Sequence, residues 1–115
     1  MVWPQHVPTV TADQVPVPVP EPLVILDVRE DDEWQAGHIE GAVHIPLSDL
    51  PARAAEVSGA AQVLCVCKVG GRSARATMLL RRSGVEAVNL HGGMHAWSAA
   101  GHPMVSDNGQ PPEVA

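Results

Sequence analysis

The sequence predicts an α/β domain built on an open parallel β-sheet of about five strands, covered by helices on both faces. Three observations predict it. Two continuous apolar runs of strand length, "LVILDV" (23–28) and "AQVLCVC" (61–67), have the pattern of strands buried on both faces. Segments with helix start and stop signals alternate with these runs through short loops. At 115 residues the chain has room for one core and not two.

In chain order, Thr11 in "TVTADQV" opens a helix-like turn that the stiff, extended "PVPVPEP" (16–22) stops at once. Residues 1–22 thus form an N-terminal extension with a first short strand and a Pro-rich connection, and residues 23–103 form the domain proper. After the first long strand, "REDDEWQAGH" reads as a short acidic helix closed by Gly37. "GAVHIP" offers a brief strand, and "SDLPARAAEVSG" a helix with Ser48 as cap, Pro51 in its first turn and Gly59 beyond its end. The second long strand leads through a loop to "SARATMLLRRSG" (73–84), a helix capped by Ser73, with Arg81 and Arg82 in its last turn and Gly84 as its stop. "EAVNL" is a third strand, "HGG" a turn and "MHAWSAAG" a last helix, and residues 104–115 are set apart as a C-terminal tail.

Composition narrows the function classes. Phe and Tyr are absent and only Trp3, Trp34 and Trp97 are aromatic, so the core is built from Val, Leu, Ile and Ala. A formal net charge of −6 argues against nucleic-acid or anionic-membrane partners, which basic surfaces bind. No apolar stretch approaches the length of a membrane span, and "MVWPQHVPTV" lacks a signal-peptide pattern, so a cytoplasmic location is expected. Two cysteines two positions apart make no disulfide framework, and a reduced thiol is the default.

In sheets of this class ligands bind beyond the carboxyl ends of the strands. There "CKVGGRS" leaves the second long strand. Lys68, Val69, Gly70, Gly71 and Arg72 separate Cys67 from Ser73. Adjacent glycines let backbone N–H groups turn inward as an anion-binding nest, backed by the positive end of the helix. A thiol at its centre is favoured as thiolate, so Cys67 is expected to be a low-pKa nucleophile acting on a small anion. The alternative is a buried strand-end thiol in an ordinary tight turn. No Lys-Ser or Lys-Thr follows the glycines, which excludes a Walker loop.

With "LDVREDDEWQAGHIEGAVHIPLSDL", "VLCVCKVGGRSARA", "GVEAVNLHGGMHAW" and "GHP" in this order, residues 23–103 resemble a single-domain rhodanese (a thiosulfate sulfurtransferase-like family). Arg29, Trp34, Gly37, His38, Ile39, Gly41 and Ala42 meet one of its motifs. The resemblance implies a sulfurtransferase whose loop cysteine, here Cys67, takes a sulfane sulfur from thiosulfate or a persulfide donor. The resulting persulfide passes it to a nucleophilic acceptor: cyanide, a small thiol or a sulfur-relay protein. Lys68 to Ser73 correspond to the substrate-binding loop, and no cofactor is implied. Related phosphatases and arsenate reductases place five residues between cysteine and arginine. Here there are four, Lys68 to Gly71, a tighter ring suited to a single sulfur. Non-catalytic modules of the family commonly lose the cysteine, which this chain keeps.

Asp27 and Arg29 leave the first long strand at the same edge, where they could hold the loop through a partly buried pair. Arg72 could bind backbone or Asp27 by its planar fork, while Lys68 acts through charge. The acidic run Glu30 to Glu33 reads as a solvated helix start. His91 and His95 lie four apart, but glycines break the helix that would align them and no third ligand is near, so no metal is expected. Cys65 shares a strand face with Cys67 at about 6.6 Å between Cα atoms, near the limit for a disulfide. It reads as a core residue.

Overall fold

The structure, a computed structural model, describes residues 7–115. Trp3 and the rest of the first six residues lie outside the described ones. The two apolar runs are the central strands of a five-stranded, all-parallel sheet: β2 (Leu23–Asp27) and β4 (Gln62–Val66) pair in register from Leu23 opposite Gln62 to Asp27 opposite Val66. The full order is β1-β5-β4-β2-β3, with β1 at Thr9–Val10, β3 at Val43–His44 and β5 at Ala87–Leu90.

Alternate residues of the central strands feed two cores. Leu26, Val63, Cys65 and Cys67 pack with Leu50, Ala76 and Leu80 on one face, while Ile25, Leu64 and Val66 pack with Met94 and Trp97 on the other. Both faces are therefore covered, as the uninterrupted apolar runs require. Helix α1 spans Asp31–Ala36, α2 Leu50–Arg53, α3 Gly71–Arg82 and α4 Gly93–Ala99. Among the described residues no helix is long and apolar enough to cross a membrane.

Two helical expectations are corrected. The helix expected over 48–59 is broken into α2 and flanking 3-10 turns at Leu47–Asp49 and Ala54–Glu56. Helix α3 starts two residues before Ser73: Gly70 is the cap residue, in the left-handed region at φ 112°, which glycine alone adopts freely. Residues 104–115 lie against α1. Val105 and His38 exchange both backbone hydrogen bonds, and the amides of Asp107 and Glu113 donate to the carbonyls of Gln35 and Ala36.

The chain leaves β2 for β3 on one side and β4 for β5 on the other. Between the carboxyl ends of β2 and β4 the connections therefore diverge, the switch point at which open α/β sheets bind ligands. Cys67 immediately follows β4 there.

Candidate active site

The loop from Cys67 to Gly70 is held from outside by its carbonyls and turns its amides inward. Helix α4 supplies the outer hold: the Met94 amide donates to the Cys67 carbonyl at 2.8 Å and the His95 amide to the Lys68 carbonyl at 3.1 Å. This needs close approach. An ideal Cβ at Gly93 would lie 2.3 Å from the Cys67 carbonyl oxygen, and Gly93 sits at φ 55°. Glycine is required on both counts.

With its carbonyls taken, the loop presents donors to the sulfur. The Gly70 amide lies 3.1 Å and the Ser73 hydroxyl 3.2 Å from Cys67 Sγ. Burial pushes the thiol up, but hydrogen bonds from the Ser73 hydroxyl and the amides of Ser73, Gly70 and Val69 outweigh it. The net direction is down, and the amino end of the twelve-residue α3 adds to it. Cys65, one step deeper on the same face, goes the other way. Burial raises its thiol to about 11, against a hydrogen bond with Thr77. The two free cysteines thus have opposite environments: one is held ready to ionise, the other is part of the core.

The cations divide differently from the sequence expectation. Arg72 does not reach Asp27. It grips Glu33 of α1 through two hydrogen bonds, Nη1 to Oε1 at 2.7 Å and Nη2 to Oε2 at 2.9 Å. Glu33 is no solvated acid; its side chain is 15% exposed and its Oε1 also accepts from the Glu30 amide. Arg72 brings its carboxyl down to about 2, burial opposing and the Glu30 amide assisting. Lys68 has no ion-pair partner among the described residues. Asp27 and Arg29, both fully buried, pair with each other, and Arg29 Nη2 donates to the Gly37 carbonyl at 2.7 Å. They fix the ends of α1 rather than the cysteine loop directly.

The residues "VRED" to "GHI" also serve α1. Trp34 stacks with the rings of His38 and His44, with centroids 3.6 and 4.7 Å away. His44 Nε2 reaches the Arg29 carbonyl at 2.8 Å.

Comparison with known proteins decides the family. The family model for the rhodanese-like domain matches residues 11–100. The chain belongs to the rhodanese-like family. Among the relatives of this rhodanese-like chain is YtwF of Bacillus subtilis, a candidate sulfurtransferase by name: 36% identical over 83 residues, 72% of this chain and 81% of that protein. A protein named sulfurtransferase from Allochromatium vinosum is 33% identical over 90 residues, 77% of this chain and 84% of its own length. The crystal structure of a rhodanese-like domain protein from Staphylococcus aureus superposes with a TM-score of 0.72 at 31% identity, covering 92% of this chain and 98% of that one.

Three residues that shape this rhodanese-like site escaped the sequence reading: Glu33, Asn89 and Gly93. Glu33 hid in a run of acids. Asn89 is the only polar residue inside the "AVNL" strand, a signal that was there to read.

The Glu33–Arg72 pair gives a pH prediction. The Glu33 carboxyl sits at about 2 in the fold against an ordinary 4.5, so its contribution is complete above about 4.5 and is lost as pH falls toward 2. With Arg72 partly solvated, about 1 kcal/mol is expected. Unfolding free energies of the native chain and Glu33→Gln from urea titration should differ by that amount at neutral pH and converge toward pH 2. A gap that persists at low pH contradicts the assignment.

Proposed function

We propose that the chain transfers a sulfane sulfur through a persulfide on Cys67. The observation that supports this best is the ring of donors around Cys67 Sγ: the Gly70 amide at 3.1 Å and the Ser73 hydroxyl at 3.2 Å, with α3 behind them. Membership of a family whose relatives are named sulfurtransferases supports sulfur transfer in general, and the four-residue spacing from Cys67 to Arg72 favours a single sulfur over a phosphoryl group.

With thiosulfate, the Cys67 thiolate attacks the outer sulfur. The new S–S bond forms as the old one breaks, and sulfite leaves with the electron pair. The outer persulfide sulfur, now anionic, takes over the loop amides. An acceptor nucleophile (a small thiol, cyanide or the thiol of a sulfur-relay protein) then attacks that sulfur and returns Cys67 as thiolate. Lys68 draws the anionic donor to the loop. Cys67 is only 1% exposed, which selects donors and acceptors that present a narrow end. A cytoplasmic setting fits two free thiols.

Intact mass tests the reading directly. Incubation with thiosulfate and removal of excess should leave the chain one sulfur atom heavier, on the peptide containing Cys67. Cyanide should then remove that sulfur as thiocyanate. A chain that stays unmodified under thiosulfate and under a small-molecule persulfide donor overturns the proposal.

A further inference from the structure

The Ser73 hydroxyl has one proton and two acceptors. Its Oγ lies 3.2 Å from Cys67 Sγ and 2.6 Å from Asn89 Oδ1. Ser73 is fully buried and Asn89 is 7% exposed, so water offers neither an easy substitute. The Asn89 amide is oriented by its other end: Nδ2 donates to the Gly70 carbonyl at 3.2 Å. Turning the amide over would set two oxygens against each other there. Its backbone is fixed too, since β5 pairs Asn89 with Cys65 of β4 and its amide donates to the Pro8 carbonyl.

We propose that Asn89 is a positioning residue for Cys67, competing with the sulfur for the single hydroxyl proton of Ser73. While Cys67 is a thiol, its S–H donates to Ser73 Oγ and Ser73 donates to Asn89, so the chain of hydrogen bonds is complete. When Cys67 ionises, the hydroxyl turns to the thiolate, and Ser73 Oγ faces Asn89 Oδ1 with no proton between them. Asn89 therefore opposes the free thiolate. On the persulfide reading, which this inference deepens, loading moves the charge to the outer sulfur and the Ser73 proton returns to Asn89. The penalty disappears in the loaded state, so Asn89 favours loading over the free thiolate.

Other ionisable groups near the loop are Cys65, Lys68, Arg72 with Glu33, the exposed His91 of the β5–α4 turn and the exposed His95 of α4. All are unchanged in the test, which reads ionisation alone and so stands apart from sulfur transfer. Cys67 ionisation is followed by thiolate absorbance and by iodoacetamide alkylation rate against pH, with Cys67→Ala as blank. Four chains are compared: native, Ser73→Ala, Asn89→Val and the double variant.

Ser73→Ala should raise the pKa, because a donor to the thiolate is lost. Asn89→Val also removes one of the two donors to the Gly70 carbonyl, leaving it the Ala74 amide at 3.1 Å, and loosens the loop, which raises the pKa in any background. The competition adds an opposite contribution only where Ser73 is present. Alkylation below the midpoint should therefore respond to Asn89→Val about fivefold more favourably with Ser73 in place than in the Ser73→Ala background, the ratio expected of one neutral hydrogen bond. Equal responses in the two backgrounds, or a larger loss with Ser73 present, overturn the proposal.

Discussion

Replacing Cys67 with alanine is expected to reduce thiocyanate formation from thiosulfate and cyanide to the uncatalysed rate, while leaving the fold intact. The two halves of this expectation have separate physical grounds. Activity is lost because no other group can form the covalent intermediate. Cys65 lies one step deeper, fully buried, with its thiol pushed up to about 11. It is neither reachable nor ionised, so it cannot stand in. The fold survives because alanine fills most of the space and few partners are orphaned. The Ser73 hydroxyl keeps Asn89 Oδ1 at 2.6 Å, and the Gly70 amide is the main group left without its sulfur. The expected stability cost is about 1 kcal/mol, from one small cavity and one lost weak acceptor. Turnover compared at matched folded fraction, with urea midpoints as the check, separates the effects. Substantial turnover in a folded Cys67→Ala chain sinks the nucleophile assignment.

The sheet was readable because its central strands advertise themselves. "LVILDV" and "AQVLCVC" are apolar at nearly every position, which only a strand covered on both faces tolerates. The position of Cys67 at the carboxyl end of β4 was readable for the same reason: it comes where such a run ends and glycines begin. What escaped depends on partners distant in sequence. Glu33 and Arg72 are 39 positions apart, and nothing local separates a gripped glutamate from its solvated neighbours Asp31 and Asp32. Ser73 has the composition of a helix cap, yet Gly70 takes that position and frees the hydroxyl for the sulfur. The local rule failed where the residue has a second use. The adjacent glycines at 92 and 93 read as a turn. The need for Gly93 is visible only when α4 is seen packed on the Cys67 carbonyl. The helix expected over 48–59 broke into α2 and short turns because its fully buried positions reduce to Leu50 and, after the second 3-10 turn, Val57. Too little apolar surface remained to hold one continuous helix.

The second large effect is expected from Asp27→Ala, a loss of about 3 to 5 kcal/mol, the usual cost of removing one partner of a buried ion pair. Arg29 Nη2 donates to Asp27 Oδ2 at 2.7 Å and Nε to Oδ1 at 3.0 Å, with both side chains fully buried. Without the carboxylate, the guanidinium keeps its charge in the interior with the Gly37 carbonyl as its remaining side-chain contact. Its Nη1 already has no hydrogen-bond partner. A domain of this size has about 5 to 15 kcal/mol in all, so the variant should be partly unfolded at physiological temperature. The damage should also reach the site: Asp27 and Arg29 anchor α1, α1 carries Glu33, and Glu33 holds Arg72 at the mouth of the cysteine loop. Turnover per folded molecule is therefore expected to fall with stability. The double variant Asp27→Leu/Arg29→Met tests whether the stranded charge is the cause. Removing both charges should recover a large part of the stability lost in Asp27→Ala, because an apolar pair of similar volume has no desolvation to offset. Urea midpoints decide it. A double variant no more stable than Asp27→Ala would mean that the loss comes from the Asp27 contact to the Arg29 backbone amide at 3.1 Å, and not from the buried charge.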